Sequence, residues 1–221
     1  MSSHFGWVDF AEDDRQKMLD VVKLFHEQDT RDELGIGSIR DAFADYFFPG
    51  TSTIQTRARY MLFVPWLYKE LERKGIPSEK IAHRARQDEI KMIYALLKSD
   101  DTSGVIGKRE KDGLQRLPSS IYWSGLGSWG IRLYHGSQNE YNRFLNAFHD
   151  QKNLIKSNDK EPCNSIIGEN WDPGLPEPPD GLLDYAEMAL IKEEAIYLQE
   201  RIQIKHRGSL LSFLVNYNTI I

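Results

Sequence analysis

The residue types best suited to catalysis stand together in Asp88-Glu89-Ile90-Lys91. A Glu-x-Lys pair serves metal-dependent nucleases, in which acidic groups hold a divalent cation and the lysine stabilises the attacked phosphate. Such pairs ride a strand, with another acid close by in space. Here Glu89 and Lys91 fall inside a helical pattern, where residues two apart point in different directions. The segment therefore reads as a solvated helix face, with Glu89 and Lys91 kept as weak catalytic candidates. A second pattern, Gly125-Leu126-Gly127-Ser128-Trp129-Gly130, matches GxGxxG, a spacing that lets a pyrophosphate approach a helix N-terminus. Its context is wrong for a dinucleotide fold. The apolar stretch before it is only Ile121 to Trp123, bulky Trp129 sits inside it, and Gly136 follows before any long helix. It reads as a structural turn between the aromatic anchors Tyr122, Trp123 and Trp129. The six histidines are scattered and Cys163 is the single cysteine, so neither an intrachain disulfide nor a cysteine-based structural zinc site is expected. No triphosphate-binding P-loop and no GxSxG elbow occurs. No cofactor and no metal are expected, although a site gathered from separate helices would leave no local trace.

Charge supplies a different kind of candidate. The 221 residues carry 28 basic and 33 acidic side chains, a net charge of −5. Residues 1–50 hold 5 basic and 11 acidic groups, whereas 51–120 hold 14 basic and 9 acidic ones. An anion-binding face is therefore to be sought between Arg57 and Arg116. Arg84 and Arg86, beside His83, form one cluster; Lys108, Arg109, Lys111 and Arg116 form another in a glycine-rich loop. With Tyr122 and Trp123 as stacking partners, these side chains suit a nucleic-acid backbone and its bases. Asp100, Asp101, Glu110 and Asp112 dilute the charge and leave simple solubility as the bland alternative. Residues 35–68 also have the outline of a helix-turn-helix. The first helix ends near Gly50, and the second opens with Thr51, Ser52, Thr53 and Gln55. The second helix is apolar nearly all round after its first turn, which fits the centre of a bundle better than a recognition helix. Arg57 and Arg59 are then expected to pair with acids such as Asp41 and Asp45.

The elements that must position these residues are helical. Capping signals, a Ser, Thr or Asp followed three residues later by a carboxylate or amide, occur at Asp9/Glu12, Ser38/Asp41, Ser52/Gln55 and Ser137/Glu140. Ser78 precedes a helix of about 20 residues, judged from its apolar spacing. Lys192 to His206 forms another helix, ended by Gly208, and Ser209 caps a last apolar turn. No comparable stretch alternates with period two, so the chain reads as all-α, a multi-helix globular bundle. Pro49-Gly50 should stop one helix and Pro65 should kink the next. Five of the nine prolines lie between Pro162 and Pro179; no helix crosses that density, and Trp171 within it points to a strap pinned to the globule. The organisation expected is a helical body over 1–155, a Pro-rich strap or linker over 156–181, and C-terminal helices over 182–221. The apolar pattern reaches Ile221, as it would in a fragment of something longer. The longest apolar run, Tyr60 to Tyr68, is too short to span a bilayer, which takes about 20 residues. No secretory signal pattern opens the chain, and a cytoplasmic home with no membrane partner is expected.

The strings GWVDF, DELGIGSIRDAFADYFFPGTSTIQTRARYMLFVPWLY and LPSSIYWSGLGSWGIR, with the WDPGLP strap and SLLSFL, are similar to a sporadically distributed bacterial family of unknown function. The resemblance covers most of residues 4–215. The family is associated with genomic neighbourhoods of helicases, phospholipase-D-like nucleases and restriction enzymes in anti-phage islands. The resemblance implies a non-catalytic subunit of a defence complex, contacting helicase or nuclease subunits, with DNA binding through the 57–116 region as a further expectation. Two alternatives stay open: a metal-dependent nuclease or other enzyme assembled from separate helices, and a toxin or effector partner that binds only protein.

Overall fold

The computed structural model describes residues 36–157 and 169–217, with side chains described outside 149–157. The helix expected from Asp9 onward, Cys163 and the middle of the strap lie outside the described residues. Within them there are seven α-helices and no strand: α1 (Ile36–Phe47), α2 (Tyr60–Arg73), α3 (Ser78–Leu96), α4 (Pro118–Ser128), α5 (Gln138–Ser157), α6 (Lys192–His206) and α7 (Leu210–Asn216). The all-α expectation is met. None of these helices is long and apolar enough to cross a membrane.

The centre is α2. Every residue from Tyr60 to Tyr68 is buried, because its apolar side chains surround the helix and leave no face for water. It packs on α3 and on α4, while α3 also packs on α5, and α6 packs on α7. The helix runs from Tyr60 to Arg73 with Pro65 inside it.

The expected start of that helix at Ser52 is corrected. Residues 48–59 are irregular, since their polar groups have other partners. The Gln55 amide donates to the Gly50 carbonyl (3.3 Å), and the backbone N–H groups of Thr56 and Arg57 donate to the Tyr122 hydroxyl at 2.8 and 3.1 Å. That hydroxyl donates in turn to the Arg57 carbonyl (2.9 Å). With no helix from Ser52, the second element of a helix-turn-helix is missing. The expected partners of the two arginines are corrected as well. Arg57 pairs with Asp101 (3.2 Å), and Arg59 is buried against Glu194 (2.6 Å) and the Glu187 carbonyl (2.9 Å).

Two other capping signals act as their chemistry requires. Ser137 and Glu140 form the reciprocal capping box that starts α5, with the Ser137 N–H on Glu140 Oε2 at 2.7 Å and the Glu140 N–H on Ser137 Oγ at 3.2 Å. Ser209 Oγ accepts from the Ser212 N–H (3.1 Å) and caps α7. The Ser38/Asp41 capping expectation is corrected, because Ser38 lies inside α1 (Ile36–Phe47), while that helix does end just before Pro49.

The GxGxxG string is the end of α4, which corrects its reading as a turn alone. Gly130 sits at φ +66° and the Ile131 N–H reaches back to the Leu126 carbonyl (2.9 Å), the Schellman closure that a left-handed glycine permits. Gly125 serves close packing: a Cβ there would lie 2.4 Å from the Gly50 carbonyl oxygen.

The described part of the strap is pinned to the body. Trp171 is buried, the Leu133 N–H donates to the Asn170 carbonyl, and the Asp172 N–H donates to the Ile131 carbonyl, both at 2.8 Å. The Trp66 indole donates to the Pro176 carbonyl (2.6 Å).

Candidate nucleic-acid interface

On α3 the apolar residues Ile81, Ala85, Met92, Ile93 and Leu96 face inward. The positions between them place Lys80, Arg84, Gln87, Lys91 and Tyr94 on one outward stripe at alternating steps of four and three, the spacing of side chains stacked along one helix face. Lys80, His83, Gln87, Lys91 and Tyr94 are exposed and Arg84 is half-exposed. The two acids that would neutralise this stripe, Asp88 and Glu89, are turned into the protein. Asp88 still pairs with Arg84 and Glu79 stays exposed in the first turn, so the exposed cations of this face are Lys80 and Lys91.

Each buried acid has a reason to be where it is. Asp88 Oδ2 lies 3.3 Å from Arg84 Nε, one turn back on the same helix. Glu89 accepts from the Ser119 backbone N–H (2.8 Å) and hydroxyl (2.7 Å) at the start of α4. Gln138 donates both to Ser119 Oγ (2.8 Å) and to the Tyr68 hydroxyl (2.5 Å). Burial pushes the Glu89 carboxyl up to about 7, with the two Ser119 hydrogen bonds pulling the other way. The void beside it, lined by Tyr60, Phe63, Val64, Leu67, Met92 and Pro118, measures about 10 Å³. That is scarcely the space of one water and admits no substrate.

The expected solvated setting of Glu89 is therefore corrected: it is a core residue. Lys91 is exposed and has no part in the Glu89 network, so the two do not form a Glu-x-Lys site. Among the described residues no group of three or more His, Cys, Asp or Glu side chains is placed to hold a metal ion. The contact between Ser128 Oγ and His206 Nε2 (3.0 Å) is a helix-end contact, because the same nitrogen lies 2.9 Å from the Ser128 carbonyl, one of the last of α4.

The loop after α3 adds charge to the stripe. Arg86 donates to the carbonyls of Leu114 and Asp112, both at 2.8 Å, which fastens the short turn Lys111–Gly113 to the helix. Tyr94 donates its hydroxyl to Asp112 (2.6 Å), and the Lys111 ammonium lies 5.9 Å from the centre of the Tyr94 ring. Lys108 donates to the Thr102 hydroxyl (2.6 Å), and Arg109 and Arg116 are exposed in the same loop. Arg84, Arg86 and Lys111 are thus brought to α3 and its attached turn.

Tyr122 and Trp123 are not at this surface. The Tyr122 hydroxyl is consumed by the 56–57 backbone. Trp123 is buried among Tyr68, Tyr141 and Trp171, with the Arg132 guanidinium 4.8 Å from its ring centre. Stacking on these two residues is corrected to packing. An exposed aromatic on the outward face of α3 is Tyr94, for which the spacing of 80, 84, 87, 91 and 94 is the sequence signal.

Fold and surface together describe an all-α protein with exposed lysines along the outward face of α3. The chain belongs to a family of unknown function (DUF6361), whose model matches residues 1–218. No curated protein and no solved structure matches it.

Proposed function

We propose that this chain is a non-catalytic subunit that binds nucleic acid through the outward face of α3 and the 108–116 loop. The observation that carries the reading is the row of exposed cations Lys80 and Lys91 on α3, joined by Lys111, with Glu89 drawn into the core and Asp88 turned inward against Arg84. Phosphate binding needs cations spaced along a face, and counterion release then supplies affinity that requires no sequence readout. The resemblance noted from the sequence implies the setting we propose: a defence complex whose helicase or nuclease subunits perform the chemistry. Phe213 and Leu214 on α7 are each more than half exposed, surface of the kind that a partner subunit covers.

The purified chain is expected to retard DNA at about 50 mM salt and to release it by about 200 mM, with a log–log salt slope of roughly −2 to −3 for about three neutralised phosphates. Lys80→Glu with Lys91→Glu should abolish retardation without lowering the melting temperature, because both side chains are exposed. Binding absent at both salts, or unmoved by the charge reversal, would remove the proposal in favour of a subunit that contacts protein alone. Mg²⁺-dependent cleavage by the purified chain would restore the enzyme alternative.

A further inference from the structure

The cationic stripe of α3 ends in an aromatic side chain. Tyr94 is 40% exposed and is held in place by its hydroxyl bond to Asp112. Beside it, Lys111 adopts φ +48°, the one non-glycine residue in the left-handed region among the described residues. Any side chain at such a position carries a conformational cost that glycine would avoid. The strain is maintained by neighbouring bonds: the Lys111 N–H donates to the Gly107 carbonyl (2.8 Å), the Leu114 N–H donates to the Lys111 carbonyl (3.1 Å), and Arg86 holds two further carbonyls of the same turn. What the strained position secures is an ammonium over the face of an exposed ring.

We infer that the ligand of this face is single-stranded nucleic acid, an unpaired base stacking on Tyr94 and its adjoining phosphate meeting Lys111. This rests on the nucleic-acid reading above and narrows it. Lys80 to Tyr94 spans fourteen residue steps of α3, about 21 Å at 1.5 Å per residue, a track along which a strand can lay its phosphates against Lys80 and Lys91, with the Asp88-paired Arg84 between them. In a duplex the bases are stacked on one another and give a protruding tyrosine nothing to hold. In a single strand every base offers a face, and aromatic stacking combined with a cationic groove is how sequence-tolerant binders grip it. When the base arrives, the Lys111 ammonium moves from the ring face to the phosphate, exchanging a weak cation–π contact for a charge-assisted one.

The test uses the full chain with a labelled 12-nucleotide oligo-dT, an abasic oligonucleotide of the same length and charge, and a 12-base-pair duplex, all at about 50 mM salt. The expected order is oligo-dT tighter than the abasic strand by roughly tenfold, the effect of one stacked base, with the duplex weaker than oligo-dT. Tyr94→Ala should erase the difference between the two single strands, and Tyr94→Phe should keep it. Lys111→Gly should weaken both single strands and make the salt slope shallower by about 0.7, the contribution of one phosphate contact. The same variant should melt at or above the wild-type temperature, whereas a purely structural clip would melt lower. Equal affinity for oligo-dT and the abasic strand, or a duplex bound as tightly as oligo-dT, overturns the single-strand inference while leaving the cationic face standing. Failure to bind any of the three overturns the nucleic-acid reading itself.

Discussion

Glu89 on α3 accepts two hydrogen bonds from Ser119 on α4, one from its backbone N–H (2.8 Å) and one from its hydroxyl (2.7 Å). Ser119 is the second residue of α4, and Leu117 before that helix offers no side-chain cap. The first N–H groups of a helix need an acceptor and favour a negative one. Glu89 supplies it from a different helix. The same contact draws a carboxylate off the outward face of α3, so one interaction closes the core and shapes the charge of the surface.

Glu89 should make stability depend on pH in an unusual direction. Its carboxyl is raised from 4.5 to about 7 in the folded protein. Between those values the folded state retains a proton that the unfolded chain has lost, so the contribution is complete below about 4.5 and declines as pH rises to about 7. The shift corresponds to roughly 3 kcal/mol. Glu89→Gln should therefore gain on wild type by up to about that amount between pH 4.5 and pH 8, measured as the difference in urea unfolding free energy. An equal difference at both pH values would show that the Glu89 carboxyl is not raised above its ordinary value by folding.

Arg59→Ala should destabilise by about 3–5 kcal/mol, since it leaves Glu194 buried without its 2.6 Å partner. Replacing the pair together, Arg59→Met with Glu194→Leu, should recover most of that loss. Chemical denaturation of the two variants checks both statements. A small effect of the single change would mean that Glu194 accepts a proton or water in its place.

Trp171→Ala should cost about 3–5 kcal/mol and expose the strap to proteolysis between residues 173 and 181. The Trp171 indole donates to Glu72 Oε1 (2.8 Å), where the Asn170 amide (3.1 Å) and the Tyr141 hydroxyl converge. Protease cleavage mapped by mass spectrometry at matched folded fractions separates strap release from global unfolding. A variant as resistant as wild type would mean that the Pro176 contact with Trp66 suffices.

Gly125→Ala should destabilise by about 1–3 kcal/mol, the usual range for overpacking. The added methyl meets the Gly50 carbonyl oxygen at 2.4 Å and the Met61 side chain at 2.7 Å, and a backbone oxygen has little room to give. Gly75→Ala is a useful contrast, because no atom lies within 4 Å of its Cβ position and only the φ of +63° opposes it. Thermal melts of the two variants measure the difference. If Gly125→Ala melted with wild type, the 48–51 turn would be free to move away from α4.

Much of the architecture was legible from local signals. The Ser137/Glu140 pair and the Ser209 cap both act within one helical turn, and the chemistry that made them recognisable is the chemistry seen, whereas α3 starts at Ser78 with that hydroxyl bonded to Arg143 and Asn146 rather than capping its own helix. The all-round apolar pattern of 60–68 correctly marked a helix with no solvent face. Where a local signal competed with a distant partner, the partner prevailed. The Ser52/Gln55 signal lost its helix to the hydroxyl of Tyr122, and Arg59 passed over the acids of α1 for Glu194, 135 residues away.

Composition and periodicity established an all-helical chain, the extents of α3 and α6, and a basic middle between acidic flanks, because each of these depends on neighbours within a few residues. Which charges meet water was settled by packing. Lys91, Asp88 and Glu89 are alike in local pattern, yet the lysine remains outside while both acids turn inward, one toward Arg84 and the other toward the start of α4. Removing a carboxylate from water is costly unless donors await it. The donors for Glu89 come from a helix 30 residues further along the chain, a distance at which no periodicity reports.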